Sequence, residues 1–475
     1  MKQPNILIVM TDHQRADTVR PEHPAPTPHA VKLAQEGITF TQTYCPSPHC
    51  CPSRATFHTG LYPSRTGVWN NLNNEMRLSW GINEGITCFS DELRDAGYDL
   101  AFCGKWHVDA RRGPNYFGWR NVRVTGVPGD HMGWTWHDYD RPGATAQPET
   151  RGPGQILRPG YPPFRLYGTR ERDNHDESVT ENALRTLPEL ARGQQPWCLF
   201  VGYIGPHDPY LVAQKYLDRV PEELVTLPES YSDDLRDKPN IYRRQREQIW
   251  GQLSPDEVKD AIRHFWAYCA YLDDQLGLIL ETLEATGQAD DTLVLYCSDH
   301  GDYCGEHGLF AKGIASFTGA YHVPAIVRWP NGITNPGRQI NSLVSLADFA
   351  PTFRELAGAE QKPASGTSLV PFLQDKQPES WREALLGQCN GVELYYSQRW
   401  VQTSEWRYIF NGFDFDELYD LASDPHQLTN LSENPDYASI KAELCRTLWK
   451  LARAENDATI NPYITVGLAP VGPGG

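Results

Sequence analysis

Four near-continuous apolar runs, over residues 5–11, 99–103, 197–203 and 292–297, each give way to ionisable residues. The first stops at Asp12-His13 and the second at Gly104-Lys105-Trp106-His107. The third ends shortly before Pro206-His207-Asp208, and the last at Ser298-Asp299-His300. A strand that is apolar along its whole length is buried on both faces, so these runs predict a parallel sheet covered by helices. Helices are visible between them. Residues 89–96 stop at Gly97, and residues 268–286 stop at Gly287 with Leu272, Leu276, Ile279, Leu280 and Leu283 on one stripe. Strands alternating with helices predict an α/β fold, a doubly wound and mostly parallel central sheet flanked by helices. Sheets of this kind bind ligands beyond the carboxyl ends of their strands. Asp12, Lys105, His107, His207, Asp299 and His300 are therefore expected along one edge, where a single site explains them better than four separate structural roles.

The pattern changes in three places. Residues 113–173 are rich in Gly, Pro, Trp, His and Arg, which predicts a long insertion over the ligand edge, and long ordered loops usually carry function. Residues 221–259 are rich in Arg, Glu and Asp and read as a solvated helical excursion. After residues 369–373 come paired strands over 400–410, another over 417–421, a helix over 438–455 and a Gly/Pro-rich tail. The division expected is a catalytic α/β domain over 1–370 and a smaller C-terminal α+β subdomain over 371–475.

Charge narrows the function classes. The 475 residues carry 43 Lys and Arg against 60 Asp and Glu, a formal charge of −17. That argues against nucleic-acid or anionic-membrane partners, which need a basic face, and it requires an anionic substrate to be held by local cations. No segment approaches the roughly 20 apolar residues that span a bilayer. Met1-Lys2-Gln3-Pro4 leads straight into the first strand and is no secretory signal. The 11 cysteines fit neither a disulfide framework nor a zinc ribbon, so a cytoplasmic location is expected.

The run Cys50-Cys51-Pro52-Ser53-Arg54, continued to Thr59-Gly60, reads as a reactive residue at the start of a helix. Pro52 suits the first turn and Ser53 can cap free backbone donors there. The positive end of the helix and Arg54 both favour an anion beside Cys50. The plain alternative is a buried cysteine pair with a proline turn. Asp12, Asp299 and His300 make a divalent-metal set, in which carboxylates suit calcium or magnesium and imidazole suits manganese, zinc or iron.

Cys-x-Pro-Ser-Arg followed by Thr-Gly resembles the maturation motif of type I sulfatases, of the alkaline phosphatase superfamily. The likeness continues in order. Asp12 and Ser298-Asp299-His300-Gly301 match the metal-binding segments, and Gly104-Lys105-Trp106-His107 matches a Gly-Lys-Trp-His element. Gly205-Pro206-His207 is similar to the Pro-His element, and Gly308 to Gly313 carries a second lysine, Lys312. The match runs from residue 4 to about 431.

The resemblance implies a sulfuric ester hydrolase in which a maturation enzyme oxidises Cys50 to formylglycine, whose hydrated aldehyde is the nucleophile. It implies one divalent metal, calcium first, with manganese, magnesium or zinc as alternatives, held by Asp12, Cys50, Asp299 and His300. Lys105 and Lys312 would bind the sulfate, and Arg54 would orient the hydrated aldehyde. His207 would protonate the leaving alcohol, and His107 would take a proton from the second hydroxyl. Where the family has a second Asp this chain has His13, which either joins the metal or turns away from it. His322 stands where relatives commonly carry Arg.

The insertion suggests a sugar sulfate. Trp119, Trp134, Trp136, His131, His137, Arg151, Arg158 and Arg165 suit stacking on sugar rings and gripping a carboxylate or second sulfate, with ordinary loop packing as the alternative. The rival activity is hydrolysis of a phosphonate monoester or phosphodiester, in relatives that share the cysteine motif but lack Gly-Lys-Trp-His. A non-catalytic binder of sulfated sugars is a further reading, for which His13 is the only support.

Overall fold

The computed structural model describes residues 3–72, 75–125, 151–171, 175–392 and 394–473. Its centre is an eight-stranded sheet in the order Arg338–Ser345, Ile38–Tyr44, Ala325–Arg328, Thr292–Ser298, Asn5–Thr11, Trp197–Gly202, Asp99–Lys105, Arg120–Thr125. Only Ala325–Arg328 runs against its neighbours. The four apolar runs are four consecutive strands of this sheet, and Ile6 to Met10 at its middle are wholly buried. A strand inaccessible on both faces needs a helical layer on each. One group of packed helices is Pro28–Glu36, Asp176–Ala191 and Pro255–Ala285. The other is Cys50–Thr59, Phe89–Asp95 and Phe349–Leu356.

Register decides what meets at the carboxyl edge. Thr11 is level with Ser298, and Met10 and Gly104 are both level with Gly202. Asp12, Asp299 and Lys105 therefore emerge side by side. Gly104 has a φ of 98°, and a Cβ there would lie 1.9 Å from the Gly202 carbonyl oxygen. Only glycine lets the neighbouring strand approach so closely just before Lys105.

The long helix begins earlier than its apolar stripe predicts, at Pro255 rather than near Tyr268. Ser254 and Glu257 form a reciprocal cap: the Ser254 hydroxyl accepts the Glu257 N–H and the Glu257 carboxylate accepts the Ser254 N–H. The acidic first turn belongs to this cap, so the polar excursion ends before it. Farther along, Asp273 accepts the N–H groups of His29 and Ala30 at 2.9 and 2.8 Å and so caps a second helix from outside.

Strands Leu385–Cys389, Gln398–Gln402, Trp406–Asn411 and Glu417–Asp420 form a four-stranded antiparallel sheet. Its alternation is two-sided. Val401, Tyr408, Phe410 and Leu418 pack with Leu444, Leu448 and Trp449 of helix Ala438–Ala454, whereas Trp400, Ile409 and Tyr419 join the main core. No described helix is long and apolar enough to cross a membrane, and all 11 cysteines are free and buried.

Candidate active site

Cys50 opens helix Cys50–Thr59, preceded by His49 in extended conformation. Its Sγ lies 3.6 Å from Asp12 Oδ1 and 3.3 Å from His300 Nε2. Asp12 Oδ1 is 3.3 Å from His300 Nε2, and Asp299 Oδ1 is 3.8 Å from the same nitrogen. The donor atoms of Asp12, Cys50, Asp299 and His300 all lie within 4.8 Å of one another, every one of these residues buried. One divalent ion with ligand distances of about 2.0 to 2.6 Å fits that spread. His13 falls instead in an overlapping group with Asp12, Cys50 and His207.

Cations surround the same point. Arg54 donates from Nε to Asp299 Oδ2 at 2.6 Å and from Nη1 to the Lys105 carbonyl at 2.9 Å. The Lys105 ammonium pairs with the Asp12 carboxylate. Lys312 Nζ is 2.8 Å from His207 Nε2 and also contacts His13 Nε2. His107 lies close enough to Cys50 to feel its charge. Arg54 Nη2, 3.9 Å from Asp12 Oδ2, and His107 Nδ1 are buried without a hydrogen-bond partner among the described residues. A hydrated aldehyde at position 50 brings two hydroxyls in place of one thiol, so the site has polar capacity to spare for that modification.

The model of the family named Sulfatase matches residues 4–359. The chain belongs to the sulfatase family. A second family model, the C-terminal part of N-sulphoglucosamine sulphohydrolase, matches residues 305–454. The sulfatase is 32% identical over 449 residues to choline-sulfatase of Rhizobium meliloti (strain 1021), covering 91% of this chain and 83% of the relative. It is 25% identical over 528 residues to N-acetylglucosamine-6-O-sulfatase of Bacteroides thetaiotaomicron, covering 96% and 87%. Among solved structures, phosphonate monoester hydrolase of Agrobacterium radiobacter shares the fold with a TM-score of 0.77 at 23% identity, over 95% of this chain and 96% of that one. The sulfatase is thus an enzyme, a sulfuric ester hydrolase.

Electrostatics sort the titratable groups. Burial and Asp12 push the Cys50 thiol up, yet Lys105, Lys312 and His300 outweigh them and hold it well below its ordinary value. Burial also raises Asp12, and Lys105 and His207 reverse that, so it stays ionised. Burial lowers His300, but Asp299 and Cys50 push it up to about 10. The two candidate proton carriers move apart. Burial and Lys312 lower His207 while Asp208 and Asp12 raise it, with a net upward shift, whereas burial and Lys105 drive His107 down. An acid and a base set by opposite environments are what ester cleavage with leaving-group protonation requires.

Several expectations change on contact with the structure. Ser53 does not cap the helix, which starts three residues earlier, at Cys50; its hydroxyl donates to the Asp299 carbonyl at 2.5 Å, tying the motif to the metal set. Trp119 is 3% exposed and packs edge-on to Phe89 and Phe102, so it is core and not a sugar platform. Arg151 forks onto Glu257 at 2.9 and 2.7 Å. Trp134, Trp136, His131 and His137 lie outside the described residues. His322 finds its reason in Tyr44, on which it stacks at 4.9 Å, and in the Thr41 carbonyl at 2.8 Å. Three residues at the site went unassigned from sequence: Asp208, 2.9 Å from His207 Nδ1, and Asp302 with Tyr210. Asp302 follows the Ser298-Asp299-His300-Gly301 turn directly, which was the available signal.

Proposed function

We propose that this sulfatase hydrolyses a sulfate ester carried on a sugar, with residue 50 acting as nucleophile after its conversion to formylglycine. The observation that carries the reading is the position of Cys50, at a helix start and in contact with Asp12 and His300, in a site where Arg54 Nη2 and His107 Nδ1 are buried without a partner among the described residues. The sugar is supported by the relative named as an N-acetylglucosamine-6-O-sulfatase. Asp12, Asp299, His300 and residue 50 would hold a divalent metal, calcium first, which when bound supplies positive charge against the sulfuryl oxygens, and formylglycine supplies a hydrated aldehyde.

The chain's own groups do the rest. Lys105 and Lys312 oppose the delocalised charge of the sulfate. His207, whose pKa Asp208 and Asp12 raise against burial and Lys312, is the group placed to give a proton to the departing sugar oxygen. His107, held neutral against residue 50, accepts the proton released there. Arg54 Nη2 is free to orient the oxygen that replaces the Cys50 sulfur.

The test joins an intact mass of the peptide containing residue 50 to initial rates on an aryl sulfate and an aryl phosphonate monoester. The expected result is a mass lowered by the thiol-to-aldehyde change, faster sulfate turnover, and no turnover in Cys50→Ala. Faster phosphonate turnover by converted enzyme would assign the rival activity. Full aryl-sulfate activity with an intact thiol would sink the nucleophile. A chain produced without a maturation enzyme is expected to fold yet stay inactive.

A further inference from the structure

His13 follows Asp12 directly, with a φ of 71° and a fully buried ring. Its Nδ1 lies 2.9 Å from Asp302 Oδ2, which also accepts the Tyr210 hydroxyl at 2.8 Å. The other carboxylate oxygen accepts the Cys304 N–H at 2.8 Å. An ammonium can only donate, so the His13 Nε2 that faces Lys312 is the acceptor and the ring proton sits on Nδ1, toward Asp302. Nε2 faces the Lys312 ammonium, which in turn meets His207 Nε2 at 2.8 Å. The His13 and His207 rings lie against each other, 3.7 Å apart centroid to centroid, and both turn their Nε2 edges to the ammonium. The set of Asp12, Cys50, Asp299 and His300 is complete without His13, which groups with Asp12, Cys50 and His207 on one side and with Asp208 and Asp302 on the other.

We propose that His13 is a positioning residue for Lys312, fixed in that role by Asp302 and Tyr210, and is not a metal ligand. A lysine ammonium is a point charge on a flexible stem, and holding it in one place needs a partner that does not cancel it. An aspartate at position 13 would neutralise the ammonium. A neutral imidazole holds it by a lone pair and leaves its charge for the sulfuryl group. The inference rests on the reading of Lys312 as a sulfate-binding group.

The experiment measures metal per chain by elemental analysis, inhibition by inorganic sulfate, and kcat and KM on 4-nitrophenyl sulfate. It compares the matured enzyme with His13→Ala, His13→Gln and Asp302→Asn, all checked for folding by circular dichroism. His13→Ala is expected to keep full metal content and resistance to chelator, while its sulfate inhibition constant and KM rise about tenfold, the size of one lost charged hydrogen bond. His13→Gln, whose amide oxygen can accept from Lys312, restores most of that loss. Asp302→Asn reproduces it, because an amide donor turns the His13 tautomer round and aims an N–H at the ammonium. Loss of metal in His13→Ala, or unchanged sulfate affinity there, overturns the proposal while leaving the sulfatase reading intact. A converted, metal-loaded parent enzyme that neither binds sulfate nor cleaves the ester fails that reading itself and this one with it.

Discussion

Arg54 concentrates more of the site's geometry than any other side chain. Its fork joins the catalytic helix to Asp299 and to the carbonyl of Lys105, so it sets the relative position of two strand ends while leaving Nη2 toward Asp12. Lysine would keep the charge at position 54 but could not reach two acceptors and a third direction at once. Arg54→Lys is therefore expected to lower kcat/KM on an aryl sulfate by about one to two powers of ten, the equivalent of one or two charged hydrogen bonds. Steady-state kinetics at matched residue-50 conversion checks this. An unchanged kcat/KM would mean that Arg54 serves only the fold.

At the scale of the element, helix Cys50–Thr59 carries a histidine, His58, that the chemistry does not use. His58 is 1% exposed, stacked on Phe89 at 5.5 Å and set against Trp106 at 5.0 Å and Phe200 at 5.2 Å. Neither ring nitrogen has a hydrogen-bond partner among the described residues. Burial, with Arg54 nearby, lowers its pKa to about 3. Below about pH 6.5 the unfolded chain takes up a proton that the folded chain refuses until about pH 3, so His58 costs stability progressively as pH falls across that window. His58→Leu is expected to stabilise the enzyme by about 1–2 kcal/mol at neutral pH, with the gain growing toward low pH. Urea unfolding at two pH values measures it, and a loss of stability at both would show that the ring finds a partner. The helix itself was legible because Pro52 suits a first helical turn, although Ser53, read as its cap, bonds the Asp299 carbonyl instead. The apolar strands were legible because burial on both faces leaves no polar position to confuse the reading. Trp119 and the Asp302–His13–Lys312 chain were not, since a tryptophan beside glycines and prolines looks alike in a loop or a core. Contacts between residues 13 and 302 come from strand register, which local pattern does not encode.

Across the whole molecule, the field and the site have opposite signs. The formal charge of −17 surrounds a centre where Lys105, Lys312 and Arg54 gather within reach of Cys50. At low ionic strength an anionic ester approaches against the net charge and meets attraction only once it is inside. The Debye length shrinks from roughly 30 Å at 0.01 M salt to about 8 Å at 0.15 M, which removes the distant repulsion and leaves buried contacts little screened. Raising salt across that range is therefore expected to increase kcat/KM for an anionic aryl sulfate by about twofold while kcat stays level, the opposite of an electrostatically steered enzyme. The salt must be one whose anion is a poor sulfate mimic, so that competition at Lys312 does not mask the effect. A steep fall in kcat/KM with such a salt would show that the approach to the site is lined by a positive surface strong enough to override the net charge.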